Sequence, residues 1–153
     1  MLAVTFDFWG TLYQNAYADE ERLDLLRRAL ERHDQSRGMD ELEAAYSHAR
    51  SVWDQVWRDQ RRSIPLERWL EELLGHLDVR MPGEAEHELG KRIESVYLNG
   101  DEPRPVTGVK EVLPRLSDRY RLGLISDTGL TPGRVLRDIM RRDRLLSYFE
   151  VLT

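Results

Sequence analysis

Phe6-Asp7-Phe8-Trp9-Gly10-Thr11-Leu12 is the stretch that decides how the chain is read. It closes a short apolar run, Leu2 to Phe8, that reads as a buried strand of a parallel sheet. Gly10 breaks the run and permits a tight turn. Ligands of an open parallel sheet bind beyond the carboxyl ends of its strands. Asp7 therefore stands where a carboxylate can act as a nucleophile or hold a cation. An aspartate that merely caps a turn after a strand is an equally ordinary reading of this stretch alone.

Working outward, Leu122-Gly123-Leu124-Ile125-Ser126-Asp127-Thr128-Gly129 supplies a second apolar strand, Tyr120 to Ser126, ending in a hydroxyl. Phe149 to Thr153 starts a third. From Asp19 to about Gly100 the pattern turns helical. The stripes are Leu23, Leu26, Leu30; then Leu42, Ala45, Ala49, Val52, Val56; then Leu66, Trp69 or Leu70, Leu73, Leu77; then Leu89, Ile93, Val96, Tyr97. Turn formers at 36–38, 63–65 and 81–83 separate four helices, with Asp40 and Ser63 expected as N-caps. Four helices are too many for one crossover, so residues 15–100 are expected to form a lobe of their own. Residues 1–14 and 101–153 are expected to make an α/β core, with short helices at Gly108–Leu116 and from Pro132 to about Arg142. Gly100–Pro105, with two prolines, reads as an extended, hinge-like linker. Strands alternating with helices predict the fold class, α/β with an incomplete Rossmann-like parallel sheet and an inserted four-helix domain.

Composition narrows the function. The 153 residues are 41% hydrophobic, enough for a real core, and 33% charged, with a formal net charge of −5. Acids and bases are interleaved, which argues against a nucleic-acid surface. Cysteine is absent, so disulfides and thiolate metal sites are excluded and a reducing, cytoplasmic setting is expected. The N-terminus has no basic region before its apolar run and reads as a strand, not a signal peptide. No apolar run approaches membrane-spanning length.

The paired strand ends, with helices between them and Pro105-Val106-Thr107-Gly108-Val109 before the second, resemble the haloacid dehalogenase-like (HAD) hydrolase superfamily. Residues 6–12 resemble its first motif, and Leu124 to Gly129 its second. The insertion resembles the family's helical cap. The resemblance implies that Asp7 is a nucleophile that forms a covalent ester, later hydrolysed. It implies that Ser126, with Thr11, Asp127, Thr128 and nearby backbone N–H groups, binds the substrate's phosphoryl or carboxylate oxygens. It implies a magnesium ion on the Asp7 carboxylate and the Trp9 backbone carbonyl, and a small anionic substrate, a phosphate ester or a halogenated acid.

Three departures qualify this. Trp9 stands where the family's phosphatases carry a second aspartate, the general acid/base, whose loss is worth about 10²–10⁴-fold. Members that cleave carbon–halogen bonds carry an aromatic tyrosine there, because halide leaves without a proton. The family's later lysine has no counterpart: Lys91 and Lys110 are the only lysines, and Arg134 and Arg137 read as solvated helix arginines. The later acidic motif has none either, Asp138 and Asp143 lying in a helical, arginine-rich context. The chain is thus expected to be a truncated, catalytically incomplete hydrolase of phosphatase or dehalogenase type; a non-catalytic binding protein on the same scaffold is the alternative. Its first strand is expected to be an open edge that pairs with a second copy or a complementing fragment. Trp53, Trp57 and Trp69 are expected in the helical core, the four histidines His33, His48, His76 and His87 on the surface, and Tyr13 and Gln14 along the substrate cleft.

Overall fold

The computed structural model describes residues 2–153. Met1, which opens the N-terminal segment discussed above, lies outside the described residues. The chain forms two compact units, one from residues 1–17 and 97–153 and the other from 18–96. Among the described residues no helix is long and apolar enough to cross a membrane.

The first unit carries three parallel strands, β1 (Ala3–Phe6), β2 (Arg121–Leu124) and β3 (Val151–Leu152), in the order β1-β2-β3. The strands are shorter than the apolar runs that announce them, because the ladder ends where the chain turns. Phe6 pairs with Leu124, and Leu124 with Leu152. Side chains alternate across a sheet, so Phe6, Leu122, Leu124 and Leu152 share one face and Thr5, Gly123 and Val151 the other. Leu122 and Leu124 are buried, whereas Ala3, Thr5, Arg121 and Val151 are exposed. The expectation of strands buried on both faces is corrected: this sheet is covered on one face only. Helices α5 (Val109–Ser117) and α6 (Gly133–Arg142) follow the expected order, and α6 buries Val135, Leu136, Ile139 and Met140.

The two outer edges differ. On β3 the Arg137 guanidinium donates to the Leu152 carbonyl at 3.0 Å, and the side chain is half-buried. Arg137 is therefore not the solvated arginine expected; it blunts the sheet edge. Among the described residues no strand pairs with the outer edge of β1.

The second unit is four helices, α1 (Asp19–Glu31), α2 (Met39–Gln60), α3 (Leu66–His76) and α4 (Gly83–Glu94). Leu26, Leu30, Leu42, Ala45, Ala49, Leu73, Leu89 and Ile93 form its core. The expected N-caps are both displaced. Asp40 lies in the first turn of α2, whose cap is Gly38 with its N–H on Glu41 Oε2 at 2.8 Å. Pro65, not Ser63, precedes α3; its fixed φ suits helix entry. Trp69 is buried as expected, Trp53 is half-buried, and Trp57 is 36% exposed, a correction. The rings of His48 and His76 stack 4.7 Å apart, and His48 Nε2 lies 3.5 Å from Glu72.

Candidate active site

The site is built on the carboxyl ends of β1 and β2. The Ile125 N–H donates to the Phe6 carbonyl at 2.9 Å, and the Ser126 N–H to the Thr153 carbonyl at 3.2 Å. The three strand tips are thereby held in a row, with the Asp7 tip next to the Ser126 tip. A parallel ladder makes this arrangement unavoidable once β1 and β2 pair in register.

Immediately after β1 the chain closes into a tight turn. The Leu12 and Tyr13 N–H groups both donate to the Phe8 carbonyl, at 3.1 and 2.9 Å, and the Gly10 N–H donates to the Tyr13 carbonyl at 2.7 Å. Gly10 has φ +69°, a left-handed conformation that favours glycine. Asp7 is exposed, and its Oδ1 accepts the Phe8 N–H at 2.7 Å. Among the described residues its second carboxylate oxygen meets no hydrogen-bond or ion-pair partner. Ser126 is half-buried, and its Oγ is buried without a hydrogen-bond partner. A buried hydroxyl without a partner costs free energy unless a ligand supplies one. Thr11 and Asp127 are exposed and Thr128 is half-buried.

Trp9 is half-buried, its ring 4.8 Å from Phe8 edge-to-face and 5.8 Å from Tyr97. Tyr13 is fully buried, stacked on Phe8 at 4.4 Å. It does not line a cleft, contrary to expectation, whereas Gln14 is exposed. Burial, and then the neighbouring Asp143 carboxylate, push the Tyr13 phenol well above its ordinary range. The sequence reading missed the part played by Asp143 and Arg142. Arg142 is one of five arginines between 134 and 144, and nothing in that run sets it apart. A cavity of about 510 Å³ lies beside residues 104–108, lined by Arg104, Lys110, Glu111, Arg142 and Asp143; neither Asp7 nor Ser126 borders it.

Among the described residues no group of three or more His, Asp or Glu side chains is placed to hold a metal ion. Asp7 and the Trp9 carbonyl are two oxygen donors, and magnesium demands near-octahedral coordination by six oxygens. The protein donors thus fall short of a dedicated magnesium cage.

No protein-family model matches the chain, and no curated protein does. Solved structures do. A protein described as the HAD-hydrolase YfnB of Bacillus subtilis, bound to magnesium, superposes with a TM-score of 0.59 at 14% identity, over 99% of this chain and 63% of that one. One described as a beta-phosphoglucomutase of Thermotoga maritima gives a TM-score of 0.52 at 24% identity, over 99% of this chain and 60% of that one. The chain has the HAD-hydrolase fold. It spans about three fifths of the length of these HAD structures. At such identities the likeness concerns the HAD fold, and fold alone does not carry function.

Proposed function

We propose that this chain is a hydrolase-type protein in which Asp7 is the nucleophile and Ser126 binds an oxygen of a small anionic substrate. The observation that carries the reading is the buried, unpartnered Ser126 hydroxyl on the strand tip beside Asp7. The free Asp7 oxygen would attack the substrate, and the Ser126 O–H would donate to its phosphoryl or carboxylate oxygen. Exposed Thr11 and half-buried Thr128 offer further hydroxyls, and Asp127 stands next to Ser126 in the same loop.

Trp9 favours a halogenated acid over a phosphate ester. Its indole is occupied by Phe8 and Tyr97 and offers no proton to a leaving alkoxide near neutral pH. Halide needs none. In that reaction a carboxylate oxygen of Asp7 forms a bond to the carbon bearing the halogen while the carbon–halogen bond breaks and halide departs. Water then cleaves the ester, giving a hydroxy acid and the free carboxylate. Magnesium would be held by Asp7 and the Trp9 carbonyl, and no step here runs through it. The absence of cysteine favours a cytoplasmic setting.

The test is intact-mass spectrometry after incubation with a 2-halocarboxylate and, separately, with beryllium fluoride. A stoichiometric adduct that disappears in Asp7→Asn supports the nucleophile, and the reagent that gives it names the substrate class. No adduct with either favours the second reading, a binding protein on the same scaffold, which the ring contacts of half-buried Trp9 with Phe8 and Tyr97 also suit.

The open edge of β1 is proposed as a contact with another polypeptide strand, from a second copy or a complementing fragment. Exposed Leu2 (72%) immediately precedes β1, and unblunted edges invite pairing. A monomer by light scattering at micromolar concentration counts against the second copy.

A further inference from the structure

Arg142 closes α6 with a guanidinium that holds three main-chain carbonyls. Its Nη1 donates to the carbonyls of Gly100 at 2.9 Å and Glu102 at 3.2 Å, and its Nη2 to that of Pro103 at 2.7 Å. Nη2 also meets Asp143 Oδ2 at 3.0 Å. A planar fork of five donors can serve several acceptors at once; an ammonium of three donors on a flexible stem cannot hold the same plane. The segment so gripped continues into residues 104–106, which hydrogen-bond to the turn that follows Asp7. The Gln14 N–H donates to the Arg104 carbonyl, and the Val106 N–H to the Leu12 carbonyl, both at 2.9 Å. Within that turn the Leu12 and Tyr13 N–H groups both donate to the Phe8 carbonyl, the Tyr13 ring stacks on Phe8, and the Phe8 N–H donates to Asp7 Oδ1.

This hydrogen-bonded path ends on Phe8, the residue that orients the Asp7 carboxylate. From this we infer that Arg142 and Asp143 form a latch that sets the conformation of the Phe8–Tyr13 turn and, through it, the position of Asp7. They are positioning residues: neither touches Asp7. The consequence for reactivity rests on the nucleophile reading above, but the latch itself does not. The other arginines of the helix do other things. Arg137 caps the β3 edge, and Arg141 pairs with Asp138 on the surface.

The experiment is amide hydrogen exchange by NMR on the wild-type chain and on Arg142→Met, Arg142→Lys, Asp143→Asn and the control Arg141→Met. Arg142→Met is expected to speed exchange at Gly10, Tyr13, Gln14 and Val106 by about tenfold or more beyond any change at the sheet amides of Ile125 and Thr153. The Phe8 amide resonance, which reports the hydrogen bond to Asp7, shifts with it. Arg142→Lys is expected to behave like Met, and Arg141→Met like wild type. Uniform acceleration at all these amides would mean general destabilisation and would overturn the latch. So would wild-type exchange in Arg142→Lys, which would reduce Arg142 to a simple charge. Should Arg142→Met fail to fold, Asp143→Asn is read by the same criterion. If Asp7 captures neither reagent, the nucleophile reading falls while the exchange pattern still decides the latch.

Discussion

Phe8 and Tyr13 lie face to face, their ring centroids 4.4 Å apart and their planes 8° from parallel. Both are 0% exposed. The pair is the apolar floor of the turn that carries Asp7, and the Tyr13 hydroxyl is buried without a well-formed hydrogen bond. Truncation and deletion of the hydroxyl should therefore part company. Tyr13→Ala is expected to cost about 3–5 kcal/mol, as large aromatic deletions do. Tyr13→Phe removes an unsatisfied polar atom and is expected to change stability by less than about 1 kcal/mol. Urea unfolding of both variants checks this; a loss in Tyr13→Phe as large as in Tyr13→Ala would refute it.

Alkaline pH should loosen the helical unit. Tyr46 is 7% exposed, and its hydroxyl donates to Asp19 Oδ1 at 2.8 Å. Burial, only partly opposed by the Arg22 charge, pushes its phenol from 10.0 to about 12. The folded state thus holds the proton more tightly than the unfolded one. The associated stability is fully present below pH 10 and drains away as pH rises towards 12. Tyr46 alone accounts for a loss on the order of 2 kcal/mol across that window, and Tyr13, raised in the same direction, adds to it. The measurement is unfolding free energy between pH 9 and 11, where Tyr46→Phe should flatten the fall. An unchanged slope would remove the argument.

Gly90 sets how closely α4 approaches α3. A Cβ at this position would meet Leu66 Cδ2 at 3.2 Å and Leu70 Cδ1 at 3.3 Å. Alanine gains roughly 1 kcal/mol of helix propensity over glycine and needs the two leucine tips to yield a few tenths of an ångström. Gly90→Ala is therefore expected within about 1 kcal/mol of wild type. Gly90→Leu overfills a buried site and should cost about 1–3 kcal/mol. Thermal melts of the two variants decide; a stabilised leucine variant contradicts the packing described here.

The two sheet edges should respond differently to charge. Arg137→Met leaves the Leu152 carbonyl without its donor and is expected to cost about 1–2 kcal/mol. Thr5→Lys, on the open edge strand, should leave the fold intact and lower any self-association. Light scattering and melting on both variants test the contrast. Greater association in Thr5→Lys than in wild type would show that β1 is not the contact edge.

The sequence by itself determined the order of elements and the positions of the two strand tips. Apolar runs ending at Asp7 and Ser126 are local signals, and each helix carries its own stripe. Burial periodicity and turn residues act over a few neighbours, so they can be read in one dimension. Helix boundaries are less legible: Asp40 and Ser63 read as caps, but α2 begins after Gly38 and α3 after Pro65.

What the tertiary structure alone decided concerns residues whose partners lie far along the chain. Arg137 and Arg142 belong to one arginine-rich helix and look alike in sequence, yet one caps the edge of β3 and the other grips the carbonyls of residues 100, 102 and 103. Tyr13, next to a proposed nucleophile, reads as a cleft residue but is sealed beneath Phe8. A guanidinium or phenol finds its role from the acceptors that folding brings to it, and those distances are set by packing, not by neighbours in the chain.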